Sequence, residues 1–184
     1  MKLCILSDSH DNRRLLDHAV ADAKARGAEV VLHCGDVVAP TTLRVLQKHG
    51  LPVHVIHGNN TGDLYSLGKL SCEPASVVQY HGPDASLEFA GKKIFLVHYP
   101  LYAHGMATTG DWDVVCCGHD HRSEIQWMDN IKGGKTLLLN PGTVGGVGSP
   151  PTYILGDLLS MTFEVRDVPA EPGEICNMPR VAQH

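Results

Sequence analysis

Three short apolar runs in the first sixty residues are separated by two segments with helical periodicity. The runs, which are typical of buried strands, span residues 2–7, 29–34 and 53–57. The first helical segment follows Asn12, a suitable N-cap, and Pro40 could open the second. Because strands alternate with helices, this half of the chain predicts parallel strands joined by right-handed crossovers.

The second half of the chain is richer in strands. Two pairs of apolar runs flank glycine-containing turns and predict hairpins, 86–89 with 93–97 and 124–128 with 136–139. Further strands are predicted at 113–117, 152–155 and 162–165. The 184 residues therefore predict one α/β domain over residues 1–168, followed by a loosely held C-terminal tail over 169–184 with three prolines.

Side chains that can bind metal ions stand at or just beyond the ends of five predicted strands. They are Asp8 and His10, Asp36, Asn59, His98, and His119 and His121, in strand order. Ligand sites of open α/β sheets lie beyond the carboxyl ends of the strands, so we expect these side chains to converge. His33, inside the second run, is expected to be a core imidazole that donates to a ligand carboxylate.

These donors are too many for one tetrahedral zinc ion and suit two divalent ions. If Asp36 bridges the ions, each ion receives four protein ligands and keeps room for water and substrate. Two divalent ions against two carboxylates leave a formal charge of about +2. A bound hydroxide and a singly charged phosphodiester would bring the cluster close to neutral, which favours diesters over dianionic monoesters.

The ordered motifs resemble those of the calcineurin-like metallophosphoesterases, which read D-x-H, G-D, G-N-[H/C], H and G-H-x-H. Here the series is Asp8-Ser9-His10, Gly35-Asp36, Gly58-Asn59-Asn60, His98 and Gly118-His119-Asp120-His121. Small single-domain bacterial and archaeal phosphodiesterases of the YfcE type are most similar in length and layout. The segment Asn140-Pro141-Gly142-Thr143 resembles the N-P-G-S segment of that group.

The resemblance implies a four-layer αββα sandwich with mixed sheets, the metallo-dependent phosphatase fold. It implies a first ion held by Asp8, His10, Asp36 and His121, and a second held by Asp36, Asn59, His98 and His119. Manganese is the usual ion, and the same donors would accept iron, zinc, nickel or cobalt. The implied activity is hydrolysis of a small phosphodiester by attack of a metal-bound hydroxide.

Two positions depart from the family pattern. Asn60 stands where His or Cys is usual, and it can contact a phosphate oxygen but cannot transfer a proton at neutral pH. Tyr99-Pro100 follows His98 where relatives commonly read Gly-His. His104 is a candidate replacement for the lost histidine, and a structural role in its loop is the competing interpretation. Without a clear general acid, esters with good leaving groups are expected to react best.

The composition of the chain limits which partners and which cellular compartment we expect. A net charge of −5, from 15 basic and 20 acidic residues, argues against a broad nucleic-acid surface. No apolar run approaches the roughly 20 residues of a membrane helix, and the N-terminus does not resemble a signal peptide. The six cysteines lack CxxC spacing and are expected to be reduced core residues. We therefore expect a cytoplasmic protein, and leave homo-oligomerisation open.

Two alternatives to a phosphodiesterase stay open from the sequence. The retromer subunit Vps29 resembles this fold used as a non-catalytic protein-binding scaffold, with its metal ligands eroded, whereas every ligand position is intact here. The other alternative is a phosphomonoesterase or dinucleoside polyphosphate hydrolase. The sequence has no long insertions and no evident arginine clamp near the motifs, so this alternative is less favoured than a phosphodiesterase.

Overall fold

The computed structural model describes residues 1–169, which form eleven strands, three α-helices and one long 3₁₀ helix. The strands are β1 (Lys2–Leu6), β2 (Ala28–His33), β3 (Val53–Val55), β4 (Val78–Tyr80), β5 (Asp84–Phe89), β6 (Lys92–Val97), β7 (Val114–Cys116), β8 (Ser123–Asp129), β9 (Lys135–Pro141), β10 (Thr152–Asp157) and β11 (Thr162–Asp167). The helices are α1 (Arg13–Ala25), the 3₁₀ helix (Pro40–His49), α2 (Leu64–Ser71) and α3 (Pro100–Thr109).

The strands form two mixed sheets. The six-stranded sheet has the order β11-β10-β1-β2-β3-β4. The strands β1, β2 and β3 pair in parallel as the strand–helix pattern predicts, and β4 adds a further parallel strand beside β3. The five-stranded sheet has the order β5-β6-β7-β9-β8, with β6, β7 and β9 parallel. Both predicted hairpins are confirmed, because β5 pairs with β6 and β8 with β9 in antiparallel register.

The two sheets face each other across an apolar core and carry helices on their outer faces. The alternation of side chains in β1 shows this layering: Leu3 and Ile5 pack between the sheets, while Cys4 and Leu6 pack beneath α1 and the 3₁₀ helix. Apolar residues of α3 pack against the outer face of the five-stranded sheet. The structure is therefore the expected four-layer αββα sandwich.

Three elements are absent from the sequence-based prediction: α2, β4 and α3. The first is only eight residues long and contains Gly68, and β4 has three residues, so neither gives a clear periodic signal. In α3 the buried residues are the small Ala103 and Ala107, whereas Leu101 is exposed. Because its apolar residues do not collect on one face, helical periodicity does not reveal this helix.

Most of the predicted tail lies outside the described residues, so its loose attachment stays a prediction. Four of the cysteines are free and buried as expected, namely Cys4, Cys34, Cys116 and Cys117. Cys72 is exposed at the end of α2, contrary to the expectation of a core position. Within residues 1–169, no helix has the length and apolar character needed to cross a membrane.

Candidate metal centre

Four loops that follow strands meet at one edge of the sandwich and hold each other through backbone hydrogen bonds. These run from Asp8 N to Gly35 O (2.9 Å), from His10 N to Asp36 O (3.1 Å) and from Gly118 N to His98 O (3.0 Å). The third bond joins two loops of the five-stranded sheet, and the first two join loops of the other sheet. The backbone itself therefore fixes the spacing of the predicted ligands within each sheet.

Strained backbone concentrates in these loops. Five of the seven predicted ligands have a positive φ although none is glycine: Asp8 (55°), His10 (42°), Asp36 (55°), His119 (77°) and His121 (58°). Asp11 and Val38 in the same loops share this conformation. The left-handed region costs about 1 kcal/mol or more for such residues. Strain of this kind persists where the surrounding structure demands it, and it clusters at functional sites.

The first group of predicted ligands is Asp8, His10 and His121. Nε2 of His121 lies 3.3 Å from Oδ1 of Asp8, and Nε2 of His10 lies 3.7 Å from the same oxygen. The two Nε2 atoms are 3.2 Å apart. Asp8 is fully buried, and its Oδ1 has no hydrogen-bond donor within the described chain. A buried carboxylate oxygen without a donor is costly and requires a compensating partner.

The second group is Asp36, Asn59, His98 and His119. Nε2 of His98 lies 3.4 Å from Oδ1 of Asp36 and 3.1 Å from Oδ1 of Asn59. The same Asn59 oxygen lies 2.9 Å from Nδ1 of His119. The structure thus brings all seven predicted side chains together. The two groups meet where Nε2 of His10 lies 4.0 Å from Oδ2 of Asp36.

In both groups, one histidine has a tautomer that leaves Nε2 unprotonated: His121 in the first group and His98 in the second. Nδ1 of His98 lies 2.8 Å from the Cys34 carbonyl oxygen, and Nδ1 of His121 lies 2.7 Å from that of Val147. A carbonyl oxygen only accepts hydrogen bonds, so each Nδ1 carries the proton. In the neutral ring, Nε2 then faces the carboxylate and amide oxygens without a hydrogen. Acceptors therefore face acceptors, which is the arrangement of ligands around a cation.

The distances between these donors fit divalent ions. With bonds of about 2.1 Å and ligand angles near 90–109°, neighbouring ligand atoms should lie roughly 3.0–3.4 Å apart. The observed separations within the two groups are 2.9 to 3.7 Å. Imidazole, carboxylate and amide oxygen together suit manganese, iron, zinc and related ions. The residues present therefore fit the metal ions that the sequence implies.

The electrostatics of Asp8 also favour a cation. Burial alone raises the pKa of a carboxyl group, but the hydrogen bonds that His10 and His121 donate when their rings are protonated outweigh it and hold the pKa of Asp8 well below its usual range. The carboxylate of Asp8 in turn raises the pKa of His121. Asp8 is therefore an anion throughout the physiological pH range, and positive charge beside it is stabilising.

The two candidate catalytic residues have different surroundings. Asn60 donates from its backbone N to Oδ1 of Asp36 (2.8 Å) and from Nδ2 to Oδ2 (2.5 Å), so its amide already holds a carboxylate. His104 lies on the exposed side of α3. No hydrogen bond or ring contact joins His104 to the seven side chains within residues 1–169. The structure thus places Asn60 beside the second group.

Sequence reasoning singled out the segment from Asn140 to Thr143 but did not assign it a role in supporting the site. Thr143 Oγ1 donates to the Asp8 carbonyl (2.8 Å), and Asn140 Nδ2 donates to the Gly118 carbonyl (3.1 Å), so the Asn140–Thr143 segment braces two ligand loops. The hydrogen-bond partner predicted for His33, a ligand carboxylate, is wrong. Buried His33 accepts from Gly35 N through Nδ1, and its Nε2 lies 3.1 Å from Ser9 Oγ. Within residues 1–169, no hydrogen bond joins His33 to a carboxylate.

Comparisons with known proteins agree with this geometry. Residues 1–161 match the model of the calcineurin-like phosphoesterase superfamily domain. Phosphodiesterase MJ0936 of Methanocaldococcus jannaschii is 27% identical over 159 residues, which are 84% of this chain and 92% of that protein. A structure described as a novel archaeal phosphodiesterase has a TM-score of 0.81 at 24% identity, covering 91% of this chain and 99% of its own.

More distant structures share the fold. The phosphoesterase YfcE from E. coli has a TM-score of 0.63 at 17% identity, covering 92% of this chain and 100% of its own. Vps29 from Entamoeba histolytica, solved with Zn²⁺, has a TM-score of 0.60 at 19% identity, covering 91% and 98%. The family match extends over most of the sequence and includes all seven converging side chains. The chain therefore belongs to the calcineurin-like phosphoesterase superfamily.

Proposed function

We propose that the protein is a phosphodiesterase that binds two divalent metal ions, with manganese as the expected metal, and hydrolyses a small phosphodiester. The observation that carries the proposal is the convergence of unprotonated imidazole nitrogens and carboxylate and amide oxygens in two adjoining groups. The name of the Methanocaldococcus jannaschii relative supports diester hydrolysis. The buried free cysteines support a cytoplasmic location.

The residues of the chain hold the donors in place before a substrate arrives. Asp36 lies between the two groups, and we assign it as the bridging ligand. Asn60 donates to both Asp36 oxygens, which prevents the carboxylate from rotating. When bound, paired divalent ions supply a nucleophilic water at neutral pH and positive charge for the phosphoryl oxygens. A preorganised set of donors avoids the cost of reorganisation during the reaction.

Neither of the two candidate catalytic residues is suited to protonate a leaving group. Asn60 has no acidic proton at neutral pH and is engaged by Asp36, and His104 is exposed on α3. An alkoxide leaving group needs a proton, whereas an aryl oxide departs without one. We therefore propose that diesters with good leaving groups are the better substrates.

A matched pair of Asp-to-Asn substitutions tests the proposal. Asp36→Asn removes the bridging charge, and Asp63→Asn makes the same change at the N-cap of α2, where asparagine caps equally well. With Mn²⁺, we expect the wild type and Asp63→Asn to hydrolyse bis(4-nitrophenyl) phosphate at similar rates. Asp36→Asn should be slower by at least about 100-fold. Equal rates in all three proteins would contradict the proposal.

A non-catalytic scaffold similar to Vps29 is the competing function. The Entamoeba histolytica Vps29 was solved with Zn²⁺, so metal binding alone does not separate the two functions. The separation comes from turnover across aryl diesters, aryl monoesters and cyclic nucleotides. If the Mn²⁺-loaded protein cleaves none of these esters, the scaffold is the correct interpretation. If it prefers monoesters, the phosphomonoesterase alternative is correct.

A further inference from the structure

A row of aromatic rings extends from two of the proposed ligands to the surface. The Tyr99 ring centroid lies 5.2 Å from that of His98 and 4.8 Å from that of His119, in edge-to-face geometry. Tyr102, one turn along α3, lies 5.8 Å from Tyr99 at an interplanar angle of 88°. Rings at these separations and angles attract one another. The second group of ligands is therefore continuous with an aromatic surface.

Both tyrosines are open to solvent. Tyr99 is 36% exposed and Tyr102 is 60% exposed. Neither phenol hydroxyl makes a hydrogen bond within the described part of the chain. These rings do not fill the core beneath α3, which Ala103 and Ala107 reach instead. Large aromatic side chains left accessible beside a polar cluster are available to a ligand.

The backbone fixes the position of Tyr99. Its φ of −87° and ψ of 130° end the extended segment after β6, and Pro100 occupies the first position of α3. The contacts with His98 and His119 hold the ring, and a tyrosine has only two side-chain torsions to order. Binding to such a surface therefore costs little conformational entropy.

We propose that Tyr99 and Tyr102 form a binding platform for a planar aromatic group, a nucleobase or an aryl ring, that is carried by the phosphoester. This inference rests on the proposed function, because it takes the phosphate to lie against the ligand groups. From that position, an organic substituent on the phosphate can extend over Tyr99, which contacts His119. The face of an aromatic ring stacks on any base or aryl group, whereas an alkyl group gains less.

Isothermal titration calorimetry on the Mn²⁺-loaded protein tests the platform with matched ligands. Adenosine 5′-monophosphate and ribose 5-phosphate differ only in the base, and phenyl phosphate and methyl phosphate differ in the presence of an aryl ring. We expect adenosine 5′-monophosphate to bind about five- to tenfold more tightly than ribose 5-phosphate. A preference for phenyl over methyl phosphate without a preference for the nucleotide would assign the platform to aryl esters.

Three variants and one control identify the residues. Tyr99→Ala and Tyr102→Ala should each reduce the preference for the aromatic ligand by about threefold or more, and Tyr99→Phe should retain it. Tyr65→Ala is the matched control, because Tyr65 is an 80% exposed tyrosine on α2 without a ring contact to the proposed ligands. It should keep the wild-type preference. Tyr102 contacts the Tyr99 ring and makes no ring contact with a proposed metal ligand within residues 1–169. The Tyr102→Ala variant therefore separates loss of the platform from damage to the metal site.

The results separate this inference from the proposed function. Equal affinities for both members of each pair, or preferences unchanged in Tyr99→Ala and Tyr102→Ala, would overturn the platform even if diesters are hydrolysed. Tyrosine-dependent preferences without hydrolysis of any diester would support the platform and overturn the proposed phosphodiesterase activity.

Discussion

The replacement of Gly58 by alanine tests whether the ligands of the second group need the space that glycine leaves. A Cβ built at Gly58 would lie 2.6 Å from Nε2 of His98 and in direct conflict with Oδ1 of Asp36. The backbone of Gly58 is not in the left-handed region, so the perturbation is steric and local. Both atoms in conflict belong to proposed metal ligands.

The size of the displacement follows from these distances. Ordinary contact begins at 3.4 Å, so Nε2 of His98 must move by about 0.8 Å from the new Cβ. Metal–ligand distances tolerate only about 0.2 Å. We therefore expect Gly58→Ala to weaken Mn²⁺ binding by at least about tenfold. Overpacking of this buried contact should also lower the free energy of unfolding by about 1–3 kcal/mol.

Calorimetric titration with Mn²⁺ and thermal unfolding of the metal-free protein measure the two effects. Gly68→Ala is the matched control, because nothing lies within 4 Å of its built Cβ and the residue is inside α2. The control should bind Mn²⁺ as the wild type does and gain about 0.5–1 kcal/mol of stability. Wild-type Mn²⁺ affinity in Gly58→Ala would refute the reasoning that Asp36 and His98 are ligands held at this spacing.

Three further predictions concern stability, support and reactivity. Burial holds the pKa of His33 at about 4, below the ordinary 6.5. Neutral His33 therefore contributes its full share to the free energy of unfolding above pH 6.5, and the free energy of unfolding should fall by up to about 3 kcal/mol as the pH drops towards 4. Denaturant titrations of His33→Gln should show a smaller fall over the same pH range. A fall equal to that of the wild type would contradict this prediction. Thr143→Val removes the hydroxyl that donates to the Asp8 carbonyl. It should lower the free energy of unfolding by about 1 kcal/mol and weaken Mn²⁺ binding. Unchanged Mn²⁺ binding would argue against a bracing role for Thr143. Rates across diesters of graded leaving-group pKa should fall steeply as that pKa rises, and a flat dependence with rate-limiting chemistry would reveal a general acid.

The parts of the fold that were predicted correctly are those with a local signal. Apolar runs that end in a polar or glycine-containing turn identify β1, β2 and β3, and Asn12 caps α1 through its side chain as predicted. By contrast, α3 begins at Pro100 and buries only alanines, so no apolar stripe reveals it. Packing against the outer face of the five-stranded sheet stabilises this helix, and such packing is not visible in local sequence.

The candidate site follows the same division. The identity and order of the metal-capable side chains are visible in the sequence, because chain topology brings strand ends to one edge. The orientation of Asn60 towards Asp36 and the partners of His33 depend on contacts between distant segments. The same holds for Tyr99, whose ring contact with His119 joins residues from different loops. The sequence therefore identifies the metal-binding side chains, whereas the hydrogen-bond and ring contacts around them depend on the tertiary structure.

The number of Mn²⁺ ions bound per chain tests the central claim most directly. Equilibrium dialysis followed by elemental analysis should find two ions in the wild type. His121→Ala removes a ligand of the first group and His98→Ala one of the second, so each variant should retain a single tightly bound ion. A wild type that binds no Mn²⁺ or only one ion at saturation, or variants that both keep two, would contradict the account.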